Sequence, residues 1–290
     1  MKLNFKIFAK RIMIVETLFA LPFAWLGVLF AGGGEFMTWV WVSLALAAGR
    51  TAGMSFNRLI DEEIDGRNPR TAGRALPAGQ LSRRDVWILA GVSCALLVFA
   101  SYMLNTLCFQ LSFAVIALLF TYSYFKRFTT ASHFYLGFIE AAAPVGGYIA
   151  VTGMLYTASR VDLIPFILGA AIMFWIAGLD IVYALLDIHF DRRAGLLSIP
   201  VKYGREKALI LSHLLYVLSA AAMVAAGVLA RRQQAYWMAL ACVAVIFVYQ
   251  QRLARKDDQE AAVKELFQIN AFISPVLFVG TFIDVFVRYQ

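Results

Sequence analysis

The segment Asn57-Arg58-Leu59-Ile60-Asp61-Glu62-Glu63-Ile64-Asp65 directly follows a long apolar run. If the chain continues there as helix, Asn57, Asp61 and Asp65 stand four residues apart on one face and their oxygens converge. A second segment, Asp187-Ile188-His189-Phe190-Asp191, follows another apolar run with the same spacing between its carboxylates. Acidic groups beside hydrocarbon are costly unless they have a partner or a task. Carboxylates brought together also repel and raise one another's pKa unless a cation neutralises them. Hard oxygen ligands of this kind suit Mg²⁺, which proteins commonly hold through one or two carboxylates together with substrate phosphates. Asn57, Asp61, Asp65, Asp187 and Asp191 are therefore the expected metal ligands, and a diphosphate is the expected ligand group.

Cationic residues suited to phosphate surround these acids. The loop after the first acidic segment carries Arg67, Arg70 and Arg74, and the end of another apolar run carries Tyr122, Lys126 and Arg127. Arginine forks bind phosphate oxygens bidentately. A diphosphate whose apolar tail enters from the bilayer, an isoprenoid lipid, would satisfy this inventory. Arg50 lies seven residues before Asn57, nearly on the same helical face, and reads equally as an ion-pair partner of the acidic cluster or as a substrate contact.

The elements that must position these groups are membrane helices. The chain is 61% hydrophobic and 15% charged, against about 25% charged in an ordinary soluble domain. The expected spans are about 12 to 32, 36 to 57, 86 to 104, 107 to 125, 134 to 154, 163 to 186, 208 to 230, 235 to 251 and 267 to 287. The fold class is thus all-α, a single polytopic membrane domain over residues 1–290 with about nine transmembrane helices. The N-terminal apolar run resembles a signal peptide but is interrupted by Glu16 and lacks a small-residue cleavage site, so it reads as a retained first span. Twenty-one of the 26 lysines and arginines fall in loops on one side; Arg160, Arg231, Arg232 and Arg288 fall on the other, and Arg50 lies within a span. That bias puts the N-terminus and both acidic segments on the cytoplasmic face. The basic residues lie at the ends of apolar runs, not on one face of a compact domain, so the partner is the bilayer and not nucleic acid. Cys94, Cys108 and Cys242 lack metal-site or disulfide spacing and read as packing residues.

Asp187 lies 126 residues after Asp61, as Asp191 does after Asp65, which hints at a duplication of four spans per unit. Facing each other about a common axis, the two pairs would close over one cavity mouth.

The ordered motifs resemble the UbiA superfamily of intramembrane prenyltransferases. The first signature of that superfamily, NDxxDxxxD followed by RTxxRPLxxG, is similar to Asn57–Asp65 followed by Arg70-Thr71-Ala72-Gly73-Arg74-Ala75-Leu76-Pro77-Ala78-Gly79. Its middle signature, YPxxKRxTxxPQxxLG, is similar to Tyr122 through Gly137, and DxxYAxxDxxDDxxxGxxS to Asp180 through Ser198. The resemblance implies nine helices around a central cavity and Mg²⁺-dependent transfer of the prenyl group of a polyprenyl diphosphate to an acceptor. Asp61, Asp65, Asp187, Asp191 and Lys126 would then be catalytic, with Asn57, Arg70, Arg74, Tyr122, Arg127, Tyr183 and Arg50 binding substrate. The Lys-Arg-x-Thr and Tyr-Ala-x-x-Asp forms look most like the 4-hydroxybenzoate polyprenyltransferases of quinone biosynthesis, acting in a bacterial inner membrane. Arg58 departs from the usual acid, Ser132-His133 from Pro-Gln, and Phe190 from an acid. These departures resemble a subgroup similar to enzymes of a menaquinone route, which leaves a naphthoate acceptor open beside 4-hydroxybenzoate. Haem and glycerol phosphate lipids are acceptors of rival members.

Other charges read as solvated or structural. Glu62, Glu63, Asp85 and the acids from 257 to 265 look like loop charges. Glu140 reads either as a helix–helix hydrogen-bonding group or as one that orients the acceptor, and His189 has no neighbours that complete a zinc-like set. Gly146-Gly147 suits close helix packing. A secondary transporter also carries repeats and intramembrane acids, but here the acids cluster at one membrane face beside arginines.

Overall fold

The computed structural model describes residues 14–154, 163–256 and 258–286. The basic residues Lys2, Lys6, Lys10, Arg11, Arg160 and Arg288, and Asp257, lie outside the described residues. Among the described residues every element is helical: α1 Ile14–Phe30, α2 Phe36–Ile60, α3 Glu62–Arg67, α4 Arg83–Leu104, α5 Thr106–Phe125 and α6 Ser132–Thr152. The second half comprises α7 Ile164–Ala184, a 3₁₀ turn Leu185–Asp187, α8 Ile188–Ala194, α9 Ile199–Leu229, α10 Gln234–Leu253, α11 Gln259–Asn270 and α12 Ile273–Phe286.

Each expected span has a helix, with three differences. Seven of the helical segments are long and apolar enough to cross a membrane. The first expected span is described only from Ile14, where α1 is apolar through Phe30, and α2 is diluted by Arg50 and by Asn57-Arg58 at its end. Helix α9 begins at Ile199, nine residues before the expected span, because its charged first turns are helical although they are not apolar; Gly204, at φ 82°, kinks it there. The last expected span is two helices: α11 takes in Glu260 and Glu265, acids expected in a loop, and the chain turns at Ala271–Phe272 before α12.

The helices close a ring. α2 packs on α4 and α5, α6 on α7 and α1, α9 on α7, and α12 on α10 and α1. At the core Trp175, 2% exposed, lies with its ring centroid 5.3 Å from Phe23 and 6.2 Å from Phe247. Outward-facing Ile88, Ile210 and Val245 are more than half exposed, as suits a surface bathed in hydrocarbon. Lipid is as apolar as leucine, so helix association there depends on close packing through small residues. At Gly147 a Cβ would lie 2.0 Å from the Ala24 carbonyl oxygen, and at Gly27 2.0 Å from that of Pro144, so α1 and α6 touch backbone to backbone.

Candidate active site

Both acidic segments are built at the same kind of break. The helix α2 ends at Asp61 (φ −96°, ψ 4°) and the short helix α3 starts after it; α7 and its 3₁₀ turn end at Asp187 (φ −105°, ψ 4°), and α8 starts after that. The matching backbone geometry agrees with the 126-residue spacing. The segment is therefore not the single helix expected from its pattern, although Asp61 N–H still donates to Asn57 O at 2.9 Å and Asp65 N–H to Asp61 O at 2.7 Å. Asn57 and Asp61 share a face, Asn57 Nδ2 donating to Asp61 Oδ2 at 2.9 Å and to Ser123 Oγ at 3.0 Å. Asp65 turns to another partner.

Asp61, Asp65 and Asp187 are each held by a cation of this chain. Lys126 Nζ lies 2.6 Å from Asp61 Oδ2, and Arg127, 3.6 Å from Oδ1, donates at 2.7 Å to the Ile60 carbonyl at the end of α2. Arg74 Nη1 donates to Asp65 Oδ2 at 2.6 Å, with Arg58 at 3.8 Å from the same oxygen. Asp187 accepts Asn68 Nδ2 and Arg70 Nε, both at 2.9 Å, and a second bond from Arg70 Nη2. Arg70 and Asn68 belong to the first acidic loop, so the two halves meet at Asp187. That loop is pinned by buried Thr71, whose hydroxyl donates to Asp65 O at 2.9 Å. Leu197 N–H donates to Lys126 O at 2.7 Å and ties the second acidic loop to the end of α5.

The expected convergence of carboxylates is thus replaced by alternation. Among the described residues no three acidic, histidine or cysteine side chains gather closely enough to hold a metal ion. Like charges in a partly dry mouth need counter-charge between them, and here lysine and arginine side chains supply it. Burial pushes Asp61 above the ordinary carboxylate range in spite of Lys126. Burial would raise Asp187 too, but the hydrogen bonds from Arg70 and Asn68 outweigh it and hold its carboxyl low. Burial and then the neighbouring Asp187 charge push Asp191 up to about 6.

Behind the mouth lies a cavity of about 530 Å³. Asn57, Arg58, Arg74, Tyr122 and Tyr183 are among its polar lining, with Asp180 deeper, and apolar side chains of α1, α2, α4, α5, α6 and α7 form most of the rest. Arg50 lies in its wall but does not join the acidic cluster: it pairs with Glu140 across α2 and α6. The seven-residue spacing placed Arg50 on the right face, but two turns of helix carry it about 10 Å deeper, where Glu140 is the available acid. Glu140 thus has a helix–helix partner and lines the same cavity. His189 is exposed and lies off the cavity. Glu63 pairs with Arg67 and Glu62 with Arg83 at the exposed rim.

Asn68 is a polar member of this region that the motif reading passed over, and His133 and Asp180, separate motif positions in the sequence, meet here as a pair. His133 is 3% exposed and its Nδ1 lies 2.7 Å from Asp180 Oδ2. Asn68 sits among arginines that draw the eye, and a histidine beside an apolar helix carries no spacing signal.

The profile of the UbiA prenyltransferase family matches residues 20–274. The 4-hydroxybenzoate octaprenyltransferase of Aeromonas hydrophila is 30% identical over 250 residues, covering 84% of each chain. That of Xanthomonas euvesicatoria is 33% identical over 247 residues, 83% of this chain and 79% of the relative. A solved UbiA homolog from Aeropyrum pernix K1 superposes with a TM-score of 0.86 at 30% identity, over 94% of this chain and 99% of that one. A UbiA homolog from Archaeoglobus fulgidus, solved with DMAPP and Mg²⁺, shares the fold at a TM-score of 0.64 and 18% identity, over 93% of this chain and 96% of that one. With the family profile spanning most of the chain and the fold closing around an acid-and-cation mouth, this multi-pass membrane protein belongs to the UbiA prenyltransferase family and is a transferase of prenyl groups.

Proposed function

We propose that the protein transfers a polyprenyl group from a polyprenyl diphosphate to an aromatic acceptor, 4-hydroxybenzoate or a related aromatic acid, in a Mg²⁺-dependent step of quinone biosynthesis. The observation that carries this reading is a mouth of alternating carboxylates and cations over an apolar cavity of about 530 Å³. Such a mouth is matched to a metal diphosphate, and the chamber to its hydrocarbon tail. The curated relatives named as 4-hydroxybenzoate octaprenyltransferases support the acceptor. The basic-loop bias and the bacterial relatives support a mouth on the cytoplasmic face of an inner membrane.

The donor types present suit Mg²⁺. Asn57, Asp61, Asp65, Asp187 and Asp191 would offer hard oxygen donors once their cations turn to phosphate, and Asp61 Oδ1 is already buried without a hydrogen-bond donor. When bound, Mg²⁺ supplies positive charge to the diphosphate oxygens as the carbon–oxygen bond breaks. Lys126, Arg127, Arg70 and Arg74 stand on carboxylates that they exchange for phosphate oxygens, and so hold the leaving group. Tyr122 and Tyr183 offer ring faces in the cavity wall to an allylic cation. The apolar walls exclude the water that would otherwise capture that cation, leaving it to an electron-rich ring carbon of the acceptor.

A second reading keeps the same donor chemistry with a naphthoate acceptor. It is favoured by Arg58, which lines the cavity where the family signature carries an acid. Purified protein offered several prenyl diphosphates with 4-hydroxybenzoate and with a hydroxynaphthoate, with Mg²⁺ or EDTA, decides between them by mass spectrometry of the products. EDTA-insensitive transfer, or no prenylated aromatic product, sinks the proposal.

A further inference from the structure

Three of the carboxylates at the mouth are held by lysine or arginine; of the two that line the cavity below them, Glu140 pairs with Arg50 and Asp180 is held by histidine. Asp180 stands on α7 seven residues before Asp187, which is about 10 Å deeper along the helix. Its side chain is 31% exposed and shares the cavity wall with Tyr122 and Tyr183. His133, in the first turn of α6, approaches Asp180 Oδ2 with Nδ1 at 2.7 Å. On the far side of the ring, Nε2 accepts the backbone N–H of Ile199, the first residue of α9, at 3.3 Å.

The two contacts fix the state of the ring. A neutral imidazole that accepts on Nε2 carries its proton on Nδ1, so His133 donates to Asp180. Both nitrogens are then engaged, and the ring has no lone pair with which to take a proton from substrate. Its effect passes through Asp180, whose rotamer it holds from a buried position between α6, α7 and α9. One turn further along α6, Gly137 lets the helix approach α7 so closely that a Cβ there would lie 2.3 Å from the Met173 carbonyl oxygen. The α6–α7 seam is therefore fixed at the level of His133, and Asp180 faces the cavity from a rigid mount.

We propose that His133 is a positioning residue for the aromatic acceptor: it holds the Asp180 carboxylate in the cavity wall, where that carboxylate accepts a hydrogen bond from the hydroxyl of the acceptor ring. This rests on the aromatic-acceptor reading above. Depth separates the two substrates. The diphosphate belongs at the mouth with Asp61 and Asp187, and the acceptor hydroxyl two helical turns below. The family's middle signature carries glutamine where this chain has His133. A glutamine amide has a donor and an acceptor and can reproduce both bonds, whereas leucine can reproduce neither.

The test uses full-length protein with Mg²⁺, geranyl diphosphate and 4-hydroxybenzoate, each substrate varied with the other saturating. His133→Leu is expected to raise the acceptor KM about tenfold, the loss of one charge-assisted hydrogen bond, with the KM for geranyl diphosphate changed less than about twofold. His133→Gln should return the acceptor KM to within about threefold of wild type, as both bonds are restored. Asp180→Asn, close to isosteric, should show the acceptor defect directly, so a His133→Leu chain that fails to fold does not remove the test. Equal losses for both substrates, indistinguishable Leu and Gln variants, or a wild-type acceptor KM in Asp180→Asn overturn the assignment. Wild-type protein that cleaves geranyl diphosphate yet prenylates no hydroxylated aromatic acid overturns the aromatic-acceptor reading, and the Asp180 contact with it. Product from wild-type protein tells the two failures apart.

Discussion

The two acidic junctions share a backbone geometry and differ in what holds them. At the first, Asp61 is 1% exposed and is gripped by Lys126 and Asn57, while Asp65 is gripped by Arg74 from its own loop. At the second, Asp187 takes its hydrogen bonds from Asn68 and Arg70, which also belong to the first loop, and α8 presents exposed Arg192 and Arg193 outward. The first half is organised by its own residues and the second by residues lent to it. The two junctions share the turn but not the counter-charges, and Arg70 joins the halves.

The largest expected effect tests whether both halves are needed at all. Asp61→Asn and Asp187→Asn should each reduce prenyl transfer by about a thousandfold or more, since each removes a charge that no neighbour replaces. Near-normal product formation by either purified variant would break the equivalence of the two junctions. Next, Arg70→Ala should cost about ten- to a hundredfold in kcat/KM for the prenyl diphosphate, because it removes both the joint and a phosphate donor. Kinetics of that variant with a short prenyl diphosphate would sharpen the claim that the second junction depends on the first. Lys126→Met should lose more than Arg127→Met, by about tenfold, because Lys126 contacts the buried Asp61 oxygen whereas Arg127 spends its hydrogen bond on Ile60. The reverse order in a side-by-side assay would place the principal cation elsewhere. Smallest of all, Arg67→Ala should alter activity and melting temperature little, with about 0.5 kcal/mol of stability at stake, since its pair with Glu63 is exposed on the rim. A large effect there would extend the site beyond the cavity mouth.

Much of this was legible in the residues, for physical reasons that can be named. Apolar runs of about 20 residues declare membrane helices because hydrocarbon tolerates little else. The acids stood out because they interrupt or end such runs. Hydropathy does not register the charged first turns of α9 or the charged residues of α11, which are helical without being apolar. Nor does spacing along one chain reveal partners across the ring. Arg50 pairs with Glu140, 90 residues away, and Asn68 with Asp187, 119 residues away. His133 was visible only as a departure from a signature, and its meaning came from the helix it faces.

The backbone contacts of Gly27 and Gly147 give the chamber two unlike walls. Where α1 and α6 meet, carbonyl oxygens occupy the space a side chain would need, so that wall can yield only by moving whole helices. Along α4 and α5, by contrast, Leu97, Leu104, Leu111 and Leu119 bound the chamber through side chains, which change rotamer within nanoseconds at small cost. One stretch of the chamber wall is thus stiff and another is padded. Extra bulk in the chamber meets rotamer changes of the leucines before the α1 and α6 backbones move.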